Sequence, residues 1–259
     1  MEDFITLIRD NTQWLYTRLF ESKFLYLDLW SFVHLWSGMV IFSLFLAFGV
    51  RKKWLWLFIL LLIYEIVEQG IVILGYHVFY LEKIVDVAND LITGFIGATI
   101  IHTMFKSSWL KKIKFPVMLF PIFLATVSIS YVWVGNYKYV YIISVLNSEG
   151  LCWWAFLWWF MGGVGVIAIY IKLSDIVKGK IKSSIAVWLL YLAGLIIFEY
   201  IGYSLLHIRE VGHVATPLFL NLIHGTYTMH IFYLIAPFLF ILLFELFSVL
   251  FIKASQQQK

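Results

Sequence analysis

The chain has 259 residues, of which 63% are hydrophobic and only 13% are charged. A mean hydropathy of +0.91 excludes a soluble globular domain and indicates an all-α protein that crosses a membrane several times. The net charge of +4 does not indicate a nucleic-acid partner, because the basic residues fall in short connections between apolar stretches. A single cysteine, Cys152, excludes an intrachain disulfide and a cysteine-based metal site.

Residues 1–27 precede the first long apolar stretch and are predicted to form an amphipathic helix on the membrane surface. Phe4, Leu7, Trp14 and Leu15 recur at roughly helical spacing, which would place them on one face. The alternative is an ordinary solvated helix.

Seven apolar stretches then follow, each close to the ~20 residues that a hydrocarbon core of ~30 Å requires. The predicted spans are 28–50, 54–75, 84–105, 115–135, 151–173, 184–207 and 218–240. The last apolar run continues to Ile252, and Pro237 is expected to kink it or to end its first part. The seventh crossing could therefore lie several residues later.

The loop charges predict the orientation. Thirteen lysines and arginines fall in one set of connections and six in the other. The positive-inside rule makes the richer set cytoplasmic, with the N-terminus outside and the C-terminus inside. Each internal loop agrees with this assignment.

A weak internal repeat suggests a 3+1+3 arrangement, in which the fourth span links two parallel triplets. Tyr64-Glu65 in the second span matches Phe198-Glu199 in the sixth. The predicted division is an interfacial segment at 1–27, a three-helix half at 28–105, a linker helix and loop at 106–150, and a second half at 151–259. Aromatic-rich apolar segments also resemble one another by chance.

The polar residues of the spans are predicted to lie in or near the outer leaflet. Ionisable groups inside a bilayer are costly and usually mark a functional site. The candidate catalytic residues are His34, Glu65, Glu68, Asp86, Asp90, Glu199 and His224. The candidate substrate-binding residues are Gln69, Asn89, Trp154, Trp158, Tyr203, Asn221 and His230.

Four or five carboxylates cannot all be ionised and unpaired in such a site, so some must be protonated, paired with histidine, or bound to a cation. Acid–base catalysis, a proton relay and a divalent metal site are all compatible with this set. Structural roles compete with each of them. Glu65 or Glu199 could be a protonated interhelical donor, Asp86 a helix cap, and His224 or His230 a packed histidine.

The first three spans resemble VanZ-like membrane proteins over about residues 28–105. The matching residues are His34, the run Glu65-Ile-Val-Glu68-Gln69, and the run Asp86-Val-Ala-Asn89-Asp90 followed by Gly94 and Gly97. The arginine that often precedes the third-span aspartate in that family is absent here, and Lys83 is the nearest basic residue. The resemblance implies a protein of the bacterial cell envelope, in the cytoplasmic membrane.

These observations predict an envelope protein with a polar pocket open to the outer leaflet. Its partners would be membrane lipids and an amphiphilic, lipid-linked molecule that the pocket binds or processes. Two alternatives remain open, namely a proton-coupled transporter with Glu65 and Glu199 as equivalent coupling sites, and a structural or assembly subunit. Whether the protein is an enzyme stays open as well.

Overall fold

A computed structural model of the chain describes residues 9, 12–22, 25–74, 79–80, 83–137, 139, 151–206, 223 and 225–257. Seven helices in this part of the chain are long and apolar enough to cross a membrane. This finding confirms the predicted all-α membrane fold.

The first six long helices follow the predicted apolar stretches closely. The first three are α1 (Leu29–Ala47), α2 (Lys53–Ile73) and α3 (Ile84–Lys106), and the short helix α4 (Ser108–Lys112) follows them. The remaining long helices are α5 (Phe120–Tyr137), α6 (Trp153–Val177), α7 (Lys180–Glu199) and α8 (Tyr227–Gln256). A π-helical turn, Phe115–Leu119, leads into α5, and another, Tyr200–Leu205, follows α7.

The segment before α1 differs from the predicted surface helix. Gln13–Tyr16 forms a turn of 3-10 helix, and β1 (Arg18–Glu21) pairs antiparallel with β2 (Tyr26–Asp28). The prediction of a helix is therefore wrong for residues 18–21 and 26–27. Short strands with a few apolar residues have too little periodicity to be told from one helical turn. Most of the first eleven residues lie outside the described part of the chain.

The seventh span corrects the predicted bounds of 218–240. Its helix α8 begins at Tyr227, passes through Pro237 without ending, and continues to Gln256. Proline is tolerated inside membrane helices because neighbouring groups can satisfy the carbonyl that it leaves free. The crossing thus lies later in the chain, as the long apolar run allowed.

The chain divides into two compact units. The first unit comprises Met1–Phe120 and Ser248–Lys259, and the second comprises Pro121–Phe247. Most of the predicted linker helix therefore belongs to the second unit, and the end of α8 belongs to the first. The proposed 3+1+3 repeat stays a prediction.

Within the first unit, α1 and α3 pack at backbone contact. A methyl group added to Gly38 would overlap the Gly94 carbonyl oxygen, and one added to Gly97 would overlap the Leu35 carbonyl oxygen. Small residues permit this approach between membrane helices. The contact fixes α1 and α3 closely side by side.

Candidate functional site

Three helices of the first unit bring polar side chains to one end of that unit. Short connections make α1 and α3 run in the same direction, with α2 antiparallel to both. His34 lies near the start of α1, Glu65 in the second half of α2, and Asp90 near the start of α3. The Gly38–Gly94 contact lies one helical turn further along α1 and α3, so His34 and Asp90 face each other.

The imidazole of His34 lies between the two carboxylates. Its Nδ1 is 3.7 Å from Glu65 Oε1, and its Nε2 is 3.7 Å from Asp90 Oδ2. The three residues expose 5%, 3% and 5% of their surface, respectively. The structure therefore brings together three of the predicted catalytic residues, in an arrangement suited to proton transfer or to holding a cation.

Two further predicted residues of α2 lie next to this cluster. Glu68 is buried, one helical turn after Glu65 on the same face, and lies beside the Tyr64 hydroxyl. Gln69 follows it and is half-buried. The ring of Tyr64 also makes a T-shaped contact with the His34 imidazole, with centroids 5.5 Å apart. Glu68 places a second carboxyl group beside that of Glu65.

Asp28 belongs to the same end of the unit, although no prediction included it. Its Oδ1 accepts a hydrogen bond of 3.0 Å from the Ser31 backbone N–H, and its own N–H donates to Ser31 Oγ. This capping box starts α1, and Asp followed three residues later by Ser was the available signal. Burial raises the pKa of the Asp28 carboxyl, while the hydrogen bonds with Ser31 act in the opposite direction.

Asp86 and Asn89 make local contacts at the start of α3. Asp86 Oδ2 accepts a hydrogen bond of 3.2 Å from the backbone N–H of Lys83, which is the N-cap residue of α3. Asp86 therefore takes part in capping α3 from the third helical position and is not the N-cap considered for it. The side-chain amide of Asn89 donates to the Val85 carbonyl oxygen at 2.8 Å. Both residues thus support the helix that carries Asp90.

The second unit has its own buried carboxylate. Glu199, at the end of α7, is 2% exposed and accepts a hydrogen bond of 3.0 Å from the Tyr233 hydroxyl. The π-helical turn Tyr200–Leu205 follows at once. Such turns are rare and occur frequently at functional sites. A role for Glu199 in the His34 cluster stays a prediction.

Glu199 also lines a cavity of about 560 Å³ that lies within the second unit. The wall includes Trp154 and Trp158 of α6, both predicted to contact substrate, and Tyr191 of α7. Gly162, Gly165 and Gly194 line it as well, and a methyl group added to any of them would meet open space. The sequence prediction missed Tyr191 and these glycines, although Gly162 and Gly165 have the spacing of one helix face.

The remaining predicted residues have other surroundings. Tyr203 lies on the π-helical turn after Glu199. The ring of His230 contacts two backbone carbonyl oxygens, Thr226 O at 2.7 Å and Ile223 O at 3.4 Å, which is the packed role considered for it. Asn221 and His224 lie outside the described residues.

The position of a third acidic residue, Glu245, contradicts the expectation that the polar residues of the spans share one end of the helices. Glu245 of α8 accepts hydrogen bonds from the Tyr170 hydroxyl at 2.7 Å and from Lys180 Nζ at 2.6 Å. Lys180 starts α7, whereas Glu199 ends it. Glu245, which pairs with Lys180, therefore lies near the opposite end of α7 from Glu199. The expectation of one shared end did not take Glu245 into account, because the predicted seventh span ended at residue 240.

No protein-family model, curated protein or solved structure matches this chain. The fold alone therefore defines its class. The helices of the described residues make it a multi-pass α-helical membrane protein. It has a buried histidine–carboxylate cluster in one unit and an aromatic-walled cavity in the other.

Proposed function

We propose that the protein binds an amphiphilic, lipid-linked molecule in the cytoplasmic membrane of a bacterium and acts as a VanZ-like component of the cell envelope. The cavity of the second unit carries this proposal. Its volume of about 560 Å³ lies within the roughly 300–1,000 Å³ of typical ligand sites. Its wall is mainly aromatic and aliphatic, so it suits the apolar chain of such a molecule.

The cavity also offers polar groups for a head group. Trp154 Nε1 and the Tyr191 hydroxyl are buried and have no hydrogen-bond partner among the described residues. Both residues line the cavity together with Glu199. An indole N–H donates, a phenol donates or accepts, and a carboxylate accepts. Hydroxyl groups both donate and accept, so a sugar-bearing lipid fits this set of groups better than a purely apolar one.

The loop charges support an external N-terminus and a cytoplasmic C-terminus. In that orientation the starts of α1 and α3 and the ends of α2 and α7 face the outside. The His34 cluster of the first unit and Glu199 of the second then belong to the outer half of the membrane. A substrate exposed on the outer leaflet would be accessible to groups at this depth.

Photo-crosslinking in nanodiscs tests the proposal. The probes are a polyprenyl-linked sugar and a phosphatidylethanolamine, each with a diazirine in its apolar chain. Gly162→Leu and Gly194→Leu place side chains in open cavity space, and labelling of α6 and α7 by the sugar-bearing probe should fall several-fold. Gly70→Leu is the matched control, because Gly70 also faces open space but lies outside the cavity. Equal labelling of wild type and cavity variants would leave only bulk lipid contact and overturn the proposal.

Proton-coupled transport is the second candidate, and one observation favours it. Each unit buries a glutamate of the predicted repeat almost completely, Glu65 at 3% exposure and Glu199 at 2%. Buried carboxylates carry protons in many pumps and transporters. Proteoliposomes with a pH-sensitive dye test this function. A substrate-dependent proton flux that Glu65→Gln and Glu199→Gln both abolish would favour the transporter, and its absence would reject it.

A further inference from the structure

We propose that His34, Glu65 and Asp90 form a binding site for a divalent transition-metal ion, with Zn²⁺ as the best match. This inference does not depend on the proposed function, because it concerns the first unit alone. One potential ligand atom from each residue lies within 4.8 Å of the other two. The three residues come from three different helices, so the fold brings the ligands together.

The ligand types narrow the choice of metal. One imidazole nitrogen and two carboxylate oxygens suit Zn²⁺, which takes both kinds of ligand at ~2.0–2.2 Å. Tetrahedral Zn²⁺ ligands lie roughly 3.4 Å apart at such bond lengths. The present separations of up to 4.8 Å therefore require the ligand atoms to approach one another by up to about 1.4 Å around an ion. Mn²⁺ is the runner-up, because carboxylates favour it.

Burial gives an independent reason to expect a cation. Glu65 Oε2 is buried and has no hydrogen-bond partner among the described residues. An unsatisfied buried carboxylate oxygen costs more than a neutral polar atom in the same position. The distance of 3.7 Å from His34 Nδ1 to Glu65 Oε1 exceeds hydrogen-bond length, so His34 does not satisfy the Glu65 carboxylate fully. A metal ion would satisfy the free oxygen and balance the two negative charges.

The surrounding structure holds the ligands in place. The backbone contact of Gly38 with Gly94 fixes α1 against α3 one turn from His34 and Asp90. Asp28 and Ser31 close the start of α1 with reciprocal hydrogen bonds. Catalytic zinc sites commonly use three protein ligands and leave a fourth position for water or substrate. Three ligands are what this cluster supplies.

Metal titration of the purified protein in nanodiscs tests the site. Protein stripped with a chelator is titrated with Zn²⁺, and separately with Mn²⁺, and bound metal is measured by mass spectrometry after dialysis. We expect one Zn²⁺ per chain. Glu65→Gln and Asp90→Asn should weaken binding by more than the roughly 10- to 100-fold that loss of an outer-shell partner costs. Glu199→Gln is the control, because it neutralises a buried carboxylate of the other unit and should bind as wild type.

A second measurement covers variants that fail to fold. X-ray absorption at the zinc edge of the wild-type complex should show only nitrogen and oxygen ligands at ~2.0–2.2 Å. Wild-type protein that retains no metal after dialysis would overturn the proposal, and His34 would then act as a proton carrier between two carboxylates. Equal metal content in Glu65→Gln and wild type would overturn it too, as would sulfur ligation, since Cys152 is the one thiol of the chain.

Discussion

The two compact units both bury carboxylates in membrane-spanning helices, but they surround them differently. In the first unit, Glu65 and Asp90 flank a histidine on closely packed helices. In the second, Glu199 accepts a hydrogen bond from a tyrosine and borders open space. The first arrangement favours reaction with a small ion or proton, and the second favours binding of a larger molecule.

Glycines account for much of this difference. In the first unit, Gly38 and Gly94 remove side chains so that two helices touch. In the second, Gly162, Gly165 and Gly194 remove side chains and leave a cavity. Glycine therefore allows close helix packing in the first unit and leaves a cavity in the second. Its effect depends on whether a neighbouring helix fills the space that the missing side chain leaves.

The largest effect is expected from His34→Leu. Removing one partner of a buried charged group typically costs about 3–5 kcal/mol, because the remaining charges stay uncompensated. Thermal unfolding of the purified protein in nanodiscs should show a large loss of stability, while the near-isosteric Glu65→Gln loses much less. If His34→Leu unfolds at the wild-type temperature, the cluster does not stabilise the first unit.

Alanine substitution of glycines compares the two units directly. Gly38→Ala forces a methyl group into the Gly94 carbonyl, and overpacking of this kind costs about 1–3 kcal/mol. Gly162→Ala meets open space and should stabilise α6 by up to ~1 kcal/mol, because alanine favours the helix. The same unfolding assay measures both. Equal effects at the two positions would contradict the contrast between a closed and an open unit.

Tyr233→Phe removes the hydrogen bond to Glu199 in the second unit. Side-chain hydrogen bonds in membrane proteins contribute about 0.6 kcal/mol on average and up to about 1.7 kcal/mol. A decrease of that size in unfolding free energy is expected, with an unchanged metal content of the first unit. Loss of bound metal in this variant would show that the two acidic sites are coupled.

The smallest effect is expected from Lys180→Met. The side chain of Lys180 is 72% exposed, although it pairs with Glu245. Exposed ion pairs contribute about 0.2–1 kcal/mol. Stability should therefore change little at low salt and not at all at high salt. A loss as large as that of His34→Leu would show that this exposed pair stabilises the helices as much as the buried cluster does, and would contradict the expected order of effects.

Sequence alone predicted the membrane spans well where apolar length decides the answer. The first helix, Leu29–Ala47, falls within the predicted 28–50 because one long apolar run marks it. Prediction placed the end of the seventh span too early, at residue 240, because the sequence alone does not show whether neighbouring groups let a helix continue through Pro237. It also missed the β1–β2 pair, which is defined by contacts between short segments.

The candidate site could be predicted only in part. The predicted membrane depth places His34, Glu65, Asp86 and Asp90 at a similar level. Depth does not give the rotation of each helix about its axis. That rotation brings Glu65 and Asp90 to His34 and leaves Asp86 to cap α3. The cavity depends on missing side chains from several helices at once, so no single stretch of sequence reveals it.

The last helix has a consequence for the lipid environment of the protein. Residues 227–252 of α8 are mostly apolar and span about 39 Å at 1.5 Å per residue, against a hydrocarbon core of about 30 Å. This hydrophobic mismatch requires the helix to tilt or kink, or the bilayer to thicken locally. The first part of α8 carries Tyr233 and belongs to the second unit, whereas its end belongs to the first unit. A change in bilayer thickness would therefore act on a single helix that is part of both units.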